Sequence, residues 1–311
     1  VNVRGYASTK DAVLKHAKRF VNGLQDSGAL SCIKHFPGAG SSTKDSHLEL
    51  PIIDDSKEEL LNYNMYPFIN LTESDALMSS HCLYQAFDDV PSTLSHNLLT
   101  KLLRDEIGFN GLIISDGMEM KAIADHYGIG RGSVMALLAG CDILLLCHDF
   151  KEQMASFNAV KEAVLNGEIT KELLIEKVER INHAKQKVKD KLEKLFTDTS
   201  YKINNLEHQL MEEIVDNSYT LIKGTAPIIQ DKTLIISSNA KVASIVEDEF
   251  DDRNLTNALI HNFSNVRVIK FTKDESFIKD ALDISRDYNN IIIYSYDAYN
   301  DNVQKEVINS L

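Results

Sequence analysis

A chain of 311 residues with 43% apolar and 25% charged residues has the composition of an ordinary globular protein and the length for two domains. Its net charge of −13 argues against a nucleic-acid partner and against an anionic membrane surface, because there is no basic excess to neutralise phosphates. The four cysteines, Cys32, Cys82, Cys141 and Cys147, lie in or beside apolar runs, and no run approaches the length of a membrane span. The cysteine pattern reads as buried free thiols, which favours the cytoplasm. A secreted or cell-wall-associated protein remains an alternative, because the chain begins at Val1 rather than Met.

In chain order, apolar residues at helical spacing predict a helix from Lys10 to Ser27, capped by Ser8 or Thr9 and ended by Gly28. A short strand, Leu30 to Ile33, follows. Asp55 or Ser56 opens a helix through Leu61, and Pro67-Phe68-Ile69 begins a short turn. Ala76 to Met78 is a second strand, Thr93 to Ile107 a leucine-faced helix, and Leu112 to Ile114 a third strand. Met118 to Ala122 and Val134 to Leu138 are helical, and Asp142 to Cys147 is a fourth strand. Helices over Phe150–Leu165 and Lys171–Leu195 complete the first part. Beyond a polar stretch, Leu206–Asn217 is a helix, Tyr219–Ile222 a short strand and Val242–Glu249 a helix. Thr233–Ser237, Val266–Phe271 and Asn290–Tyr294 are strands. Continuous apolar strands alternating with helices imply a parallel sheet covered by helices. The predicted domains are 1–197, a linker and helix at 198–218, and a second, smaller α/β domain at 219–311.

Polar residues gather where the strands end: Lys34-His35, Ser80-His81, Ser115-Asp116 and His148-Asp149. That is the active-site rim of a (β/α) barrel, although a doubly wound sheet also binds ligands at strand ends. The richest stretch is KHFPGAGSSTKDSHLELP, Lys34 to Pro51, whose prolines and glycines force a loop. Within it Asp45 and His47 are two apart, close enough to share one ligand, with the carboxylate setting the imidazole tautomer. A surface loop with chance polar residues has the same spacing. Asp116-Gly117 is also a tight-turn dipeptide, but the helix-forming residues after it disfavour a hairpin and leave Asp116 as a candidate nucleophile. There is no Gly-x-Gly-x-x-Gly after a strand, no Walker loop and no metal-ligand spacing, so no cofactor or metal is expected.

Four motifs, KHFPGAG with D-S-H-x-x-x-P, MSSHCLY with PSTLS, GLIISDGMEMKAI, and LLAGCDILLLC, stand in this order between Lys34 and Cys147. They resemble glycoside hydrolase family 3, and within it the β-N-acetylhexosaminidase branch that carries the D-x-H loop. The resemblance implies the C-terminal part of a TIM-like barrel followed by an α/β/α sandwich-like domain, both incomplete, as an internal fragment would be. It further implies a retaining exo-β-N-acetylglucosaminidase with a carbohydrate substrate, no nucleic-acid partner and an open oligomeric state. By the same resemblance Asp116 matches the nucleophile, His47 the acid/base and Asp45 its dyad partner. Lys34, His35 and Arg4 match sugar-binding positions, and His81 and Met118 match positions lining the pocket. Ala39 stands where the family usually has His, and Gly117 where many members have Ala or Asp. Two other readings compete: a glycoside phosphorylase, since imidazole does not repel phosphate, and an inactive carbohydrate-binding homologue.

Overall fold

The computed structural model describes residues 5–38, 42, 49–195, 205–225, 232–238, 265–296 and 298–311. The chain divides into two compact units, Gly5–Tyr201 and Lys202–Leu311.

The first unit is built on strands β1 (Cys32–Phe36), β3 (Ala76–Ser79), β5 (Leu112–Gly117) and β6 (Ile143–Leu145), all parallel, in the order β1-β3-β5-β6. A short parallel ribbon pairs β2 (Ile52–Ile53) with β4 (Leu83–Tyr84). Each new strand of the main sheet is added on the same side of the last. That single-direction winding is how a (β/α) barrel grows, whereas a doubly wound sheet reverses at a switch point.

Local chemistry explains the elements. Helix Lys10–Ser27 begins where the Thr9 side chain accepts from Ala12 N–H and ends at Gly28, as the spacing predicts. Ser56 and Glu59 form a reciprocal capping box at the start of helix Lys57–Glu59. The leucine-faced helix is wound wider than an α-helix over Asn97–Glu106, with Ile107 N–H donating to Leu102 O at 2.8 Å. Its Leu98, Leu99 and Leu103 are fully buried against Phe36, Leu77 and Ile113 of the sheet, and these residues form the main core. Helices Ile129–Ala139 and Phe150–Leu165 pack through Val134, Leu137 and Ala163.

Several boundaries move. The first strand runs to Phe36 rather than stopping at Ile33, because Lys34 and Phe36 continue the ladder with Met78 and Ser79. Lys34 and His35 therefore lie within β1, and the Lys34–His35 and Phe36–Pro37 peptides are cis. The helix after Asp116 begins at Lys121, leaving Met118–Met120 in the turn. Cys82 and Cys141 are buried free thiols, but Cys32 and Cys147 are exposed. Cys32 is on a strand with a neighbour on one side, and Cys147 lies past the end of β6.

In the second unit, β7 (Thr233–Ser237) sits between β8 (Val266–Lys270) and β9 (Asn290–Tyr294), all parallel. Here successive strands are added on opposite sides of β7, the reversal of a doubly wound sheet. Leu234, Ile236, Ala281 and Val307 form its core, the last two from helices Ser276–Ser285 and Asn302–Ser310. Tyr219–Ile222, expected as a strand, pairs with no strand among the described residues, and Ile222 is 94% exposed. The expected helix Val242–Glu249 lies outside the described residues. Among the described residues no helix is long and apolar enough to cross a membrane.

Two carboxylates tie the N-terminal end of the main sheet to the helices around it. Asp142, with its side chain fully buried, accepts from Arg104 Nη2 at 2.7 Å, Arg180 Nε at 2.8 Å and Ile113 N–H at 2.9 Å. Asp75, just before β3, accepts from Ser31 N–H and Oγ, from Gln25 Nε2 and from Lys187. Removing the Asp142 carboxylate takes the buried ion-pair partner from Arg104 and Arg180 and leaves Ile113 N–H without its acceptor. Asp142→Ala is therefore expected to cost about 3–5 kcal/mol in denaturant unfolding. Burial pushes the Asp75 carboxyl up, but Lys187, Ser31 and Gln25 outweigh it and hold it at about 2 against an ordinary 3.8. A folded-state pKa below the unfolded one adds stability that is present above the unfolded value and lost as pH falls through the folded one. The melting temperature of the parent is thus expected to fall more steeply than that of Asp75→Asn between about pH 5 and pH 2. Parallel curves would show that the Asp75 contacts carry no weight.

Candidate active site

The C-terminal ends of β1, β3 and β5 converge on Asp116. This residue is at the end of an apolar strand because the alternation of β5 buries Ile113 and Ser115 and leaves Asp116 partly open. Its Oδ1 accepts from Gly117 N–H at 2.8 Å, which fixes the carboxylate and turns Oδ2 to within 3.6 Å of His35 Nε2. The two come from strands separated by β3, hence about 10 Å apart across a flat sheet. They meet because both side chains reach across the end of β3. Asp116 is 23% and His35 33% exposed, so a ligand can reach both. Lys34 is exposed on β1.

Beneath these residues is a buried polar layer. Ser79, Ser80, His81, Ser92, Thr93 and Ser115 are all at most 4% exposed. Ser92 Oγ donates to Ser80 O at 2.7 Å and lies 3.1 Å from Phe36 O, joining the ends of β1 and β3. Leu145 N–H donates to Ser115 Oγ at 2.9 Å, joining β5 and β6. Satisfied hydroxyls of this kind rigidify a strand end that water cannot reach.

Two residues expected to line the pocket are enclosed instead. Met118 is fully buried in the main core, its Cε packing towards Gly132 of helix Ile129–Ala139. His81 is fully buried, with Nδ1 2.8 Å from Thr93 Oγ1 and Nε2 2.9 Å from Gly117 O. Asp45, His47 and Arg4 lie outside the described residues. The segment that carries Asp45 and His47 leaves β1 at Gly38, whose N–H donates to His35 O at 2.8 Å and whose carbonyl accepts from Asn64 Nδ2 at 3.0 Å. Gly38 has φ +104°, and a Cβ there would come 2.6 Å from Asn64 O, so this exit requires glycine. The segment rejoins the described chain before β2, where Leu83 N–H donates to Pro51 O at 2.9 Å.

Glu119 was given no role by its position in the sequence, although it lies in the motif around Asp116. Its Oε1 accepts from Cys147 N–H at 3.1 Å and is 3.9 Å from His148 Nε2, while Oε2 is buried with no hydrogen-bond partner. Burial, Glu119 and Asp116 together push the Cys147 thiol up. A Cβ on Gly117 would sit 3.3 Å from the Glu119 carboxylate, so glycine at 117 makes room for it. Among the described residues no group of three or more His, Cys, Asp or Glu could hold a metal ion.

This site stands in a chain with identifiable relatives. The sequence profile of the glycosyl hydrolase family 3 N-terminal domain matches residues 1–184. A β-hexosaminidase from Actinobacillus pleuropneumoniae serotype 5b is 37% identical over 149 residues, 47% of this chain and 43% of that protein. One from Tolumonas auensis is 38% identical over 149 residues, 47% of this chain and 45% of that protein. The solved structure of a family 3 β-N-acetylglucosaminidase from Paenibacillus sp. str. FPU-7 superposes with a TM-score of 0.87 at 28% identity, over 99% of this chain and 61% of that one. The chain spans less than half the length of the curated relatives it matches. With the profile matching more than half of its residues and the barrel-type sheet beneath it, the chain belongs to glycosyl hydrolase family 3.

Proposed function

We propose that the whole protein is a retaining exo-β-N-acetylglucosaminidase. It removes terminal β-linked N-acetylglucosamine from glycans such as cell-wall muropeptides or chitooligosaccharides. The observation that carries this reading is Asp116, held at the sheet's C-terminal rim by Gly117 N–H with Oδ2 turned towards His35. The names of the β-hexosaminidase relatives support the choice of sugar.

In the first step Asp116 Oδ2 bonds to the anomeric carbon as the glycosidic C–O bond breaks. The leaving oxygen takes the electron pair and a proton from His47. In the second step His47 takes a proton from water, whose oxygen attacks the anomeric carbon and releases Asp116. Asp45 orients the imidazole. Lys34, His35 and Arg4 bind sugar hydroxyls, for which charged and imidazole N–H donors suit. The roles of Asp45, His47 and Arg4 rest on the family resemblance alone.

The test is hydrolysis of aryl N-acetyl-β-glucosaminides with a good and a poor leaving group by the whole protein. Asp116→Ala is expected to lose at least about a thousandfold in turnover. His47→Ala is expected to lose about a hundredfold or more on the poor leaving group and far less on the good one. An Asp116→Ala variant as active as the parent would falsify the mechanism. Release of a sugar 1-phosphate when phosphate is added would redirect the second step to phosphorolysis. Sugar binding without turnover by the parent would favour the inactive homologue.

A further inference from the structure

The buried imidazole of His81 offers more than a wall of the pocket. Its ring is fully buried between the ends of β3 and β5. Gly117 O can only accept, so His81 Nε2 carries the proton of that 2.9 Å bond. In the neutral ring Nδ1 then accepts, and the single Thr93 hydroxyl proton is shared between it at 2.8 Å and Ser80 O at 2.9 Å. Thr93 Oγ1 lies in turn 2.8 Å from Ser79 Oγ, which can donate to it. A line of polar contacts, Ser79 to Thr93 to His81 to Gly117 O, thus runs beneath the rim. Its last member is the residue whose N–H fixes Asp116 Oδ1.

We infer that His81 is a positioning residue for the nucleophile, holding Gly117 by its carbonyl so that its N–H presents the Asp116 carboxylate in one orientation. This rests on the reading of Asp116 as the nucleophile. Glycine has no side chain to anchor it, so backbone bonds hold it: Gly117 O accepts from Met120 N–H at 3.1 Å as well as from His81, and Met118 N–H donates to Leu145 O at 2.9 Å. A fully enclosed ring cannot contact sugar in this arrangement, so the role passes through Gly117 to Asp116.

A trapping experiment separates positioning from binding and from folding. The probe is 5-fluoro-N-acetylglucosaminyl fluoride, applied to the whole protein. Asp116 bonds to the anomeric carbon, the C–F bond breaks, and fluoride leaves with the electron pair without needing a proton from His47. The saturation constant reports binding, and the limiting first-order constant reports nucleophilic attack. His81→Leu is expected to lower the limiting constant by about tenfold or more, with the saturation constant within about twofold of the parent. His81→Gln, whose amide can donate to Gly117 O, is expected to recover most of the loss. Thr93→Val, which removes the hydroxyl in contact with Nδ1, is expected to lower the limiting constant by about threefold or more. It carries the same prediction should His81→Leu fail to fold. An unchanged limiting constant in the folded variants overturns the inference, whether or not their melting temperature falls. So does a loss confined to the saturation constant, which would make His81 a sugar contact. A parent that is not labelled at Asp116 sinks the nucleophile assignment itself, a different failure.

Discussion

A parallel sheet must satisfy the polar groups at its buried strand ends without water, and much of the first unit follows from how it does so. At the N-terminal end the solution is ionic. Asp75 and Asp142 gather Lys187, Arg180 and Arg104 from helices far along the chain and bond backbone N–H groups of Ser31 and Ile113. At the C-terminal end the solution rests mainly on hydroxyls and one imidazole, from Ser79 to Thr93, with the Glu119 carboxylate taking Cys147 N–H. The division has a physical sense. Neutral donors and acceptors beneath Asp116 hold the backbone still and leave its charge to face the ligand.

Much of this was legible in the sequence. The helix Lys10–Ser27 has its periodicity, its cap and its stop all in one stretch, and the strands Thr233–Ser237 and Asn290–Tyr294 are short apolar runs bounded by polar residues. Position at a strand end also marked Asp116. What was not legible depended on pairing partners. The first strand extends through Lys34 and His35 because β3 offers a ladder to them, a fact that no local propensity records. Tyr219–Ile222 has strand-forming residues but no neighbouring strand among the described residues to pair with. Met118 and His81 show the same limit for side chains. Their place in a motif located them near the rim, but only packing decided that the thioether turns to Gly132 and the imidazole to Gly117.

The two units use one vocabulary of parallel strands and helices in two grammars. The first adds strands in one direction, and the second reverses at β7. Reversal makes a crevice at the switch point, while single-direction winding produces a curved arc whose strand ends face a common axis.

The His35–Asp116 pair joins strands that do not touch. Because the two side chains belong to strands two places apart, their 3.6 Å separation depends on the strand between them as well as on either local backbone. A change in the seating of β3, which supplies neither residue, therefore reads out as a change in this one distance, so the site's geometry belongs to three strands together and not to the motifs that carry its residues.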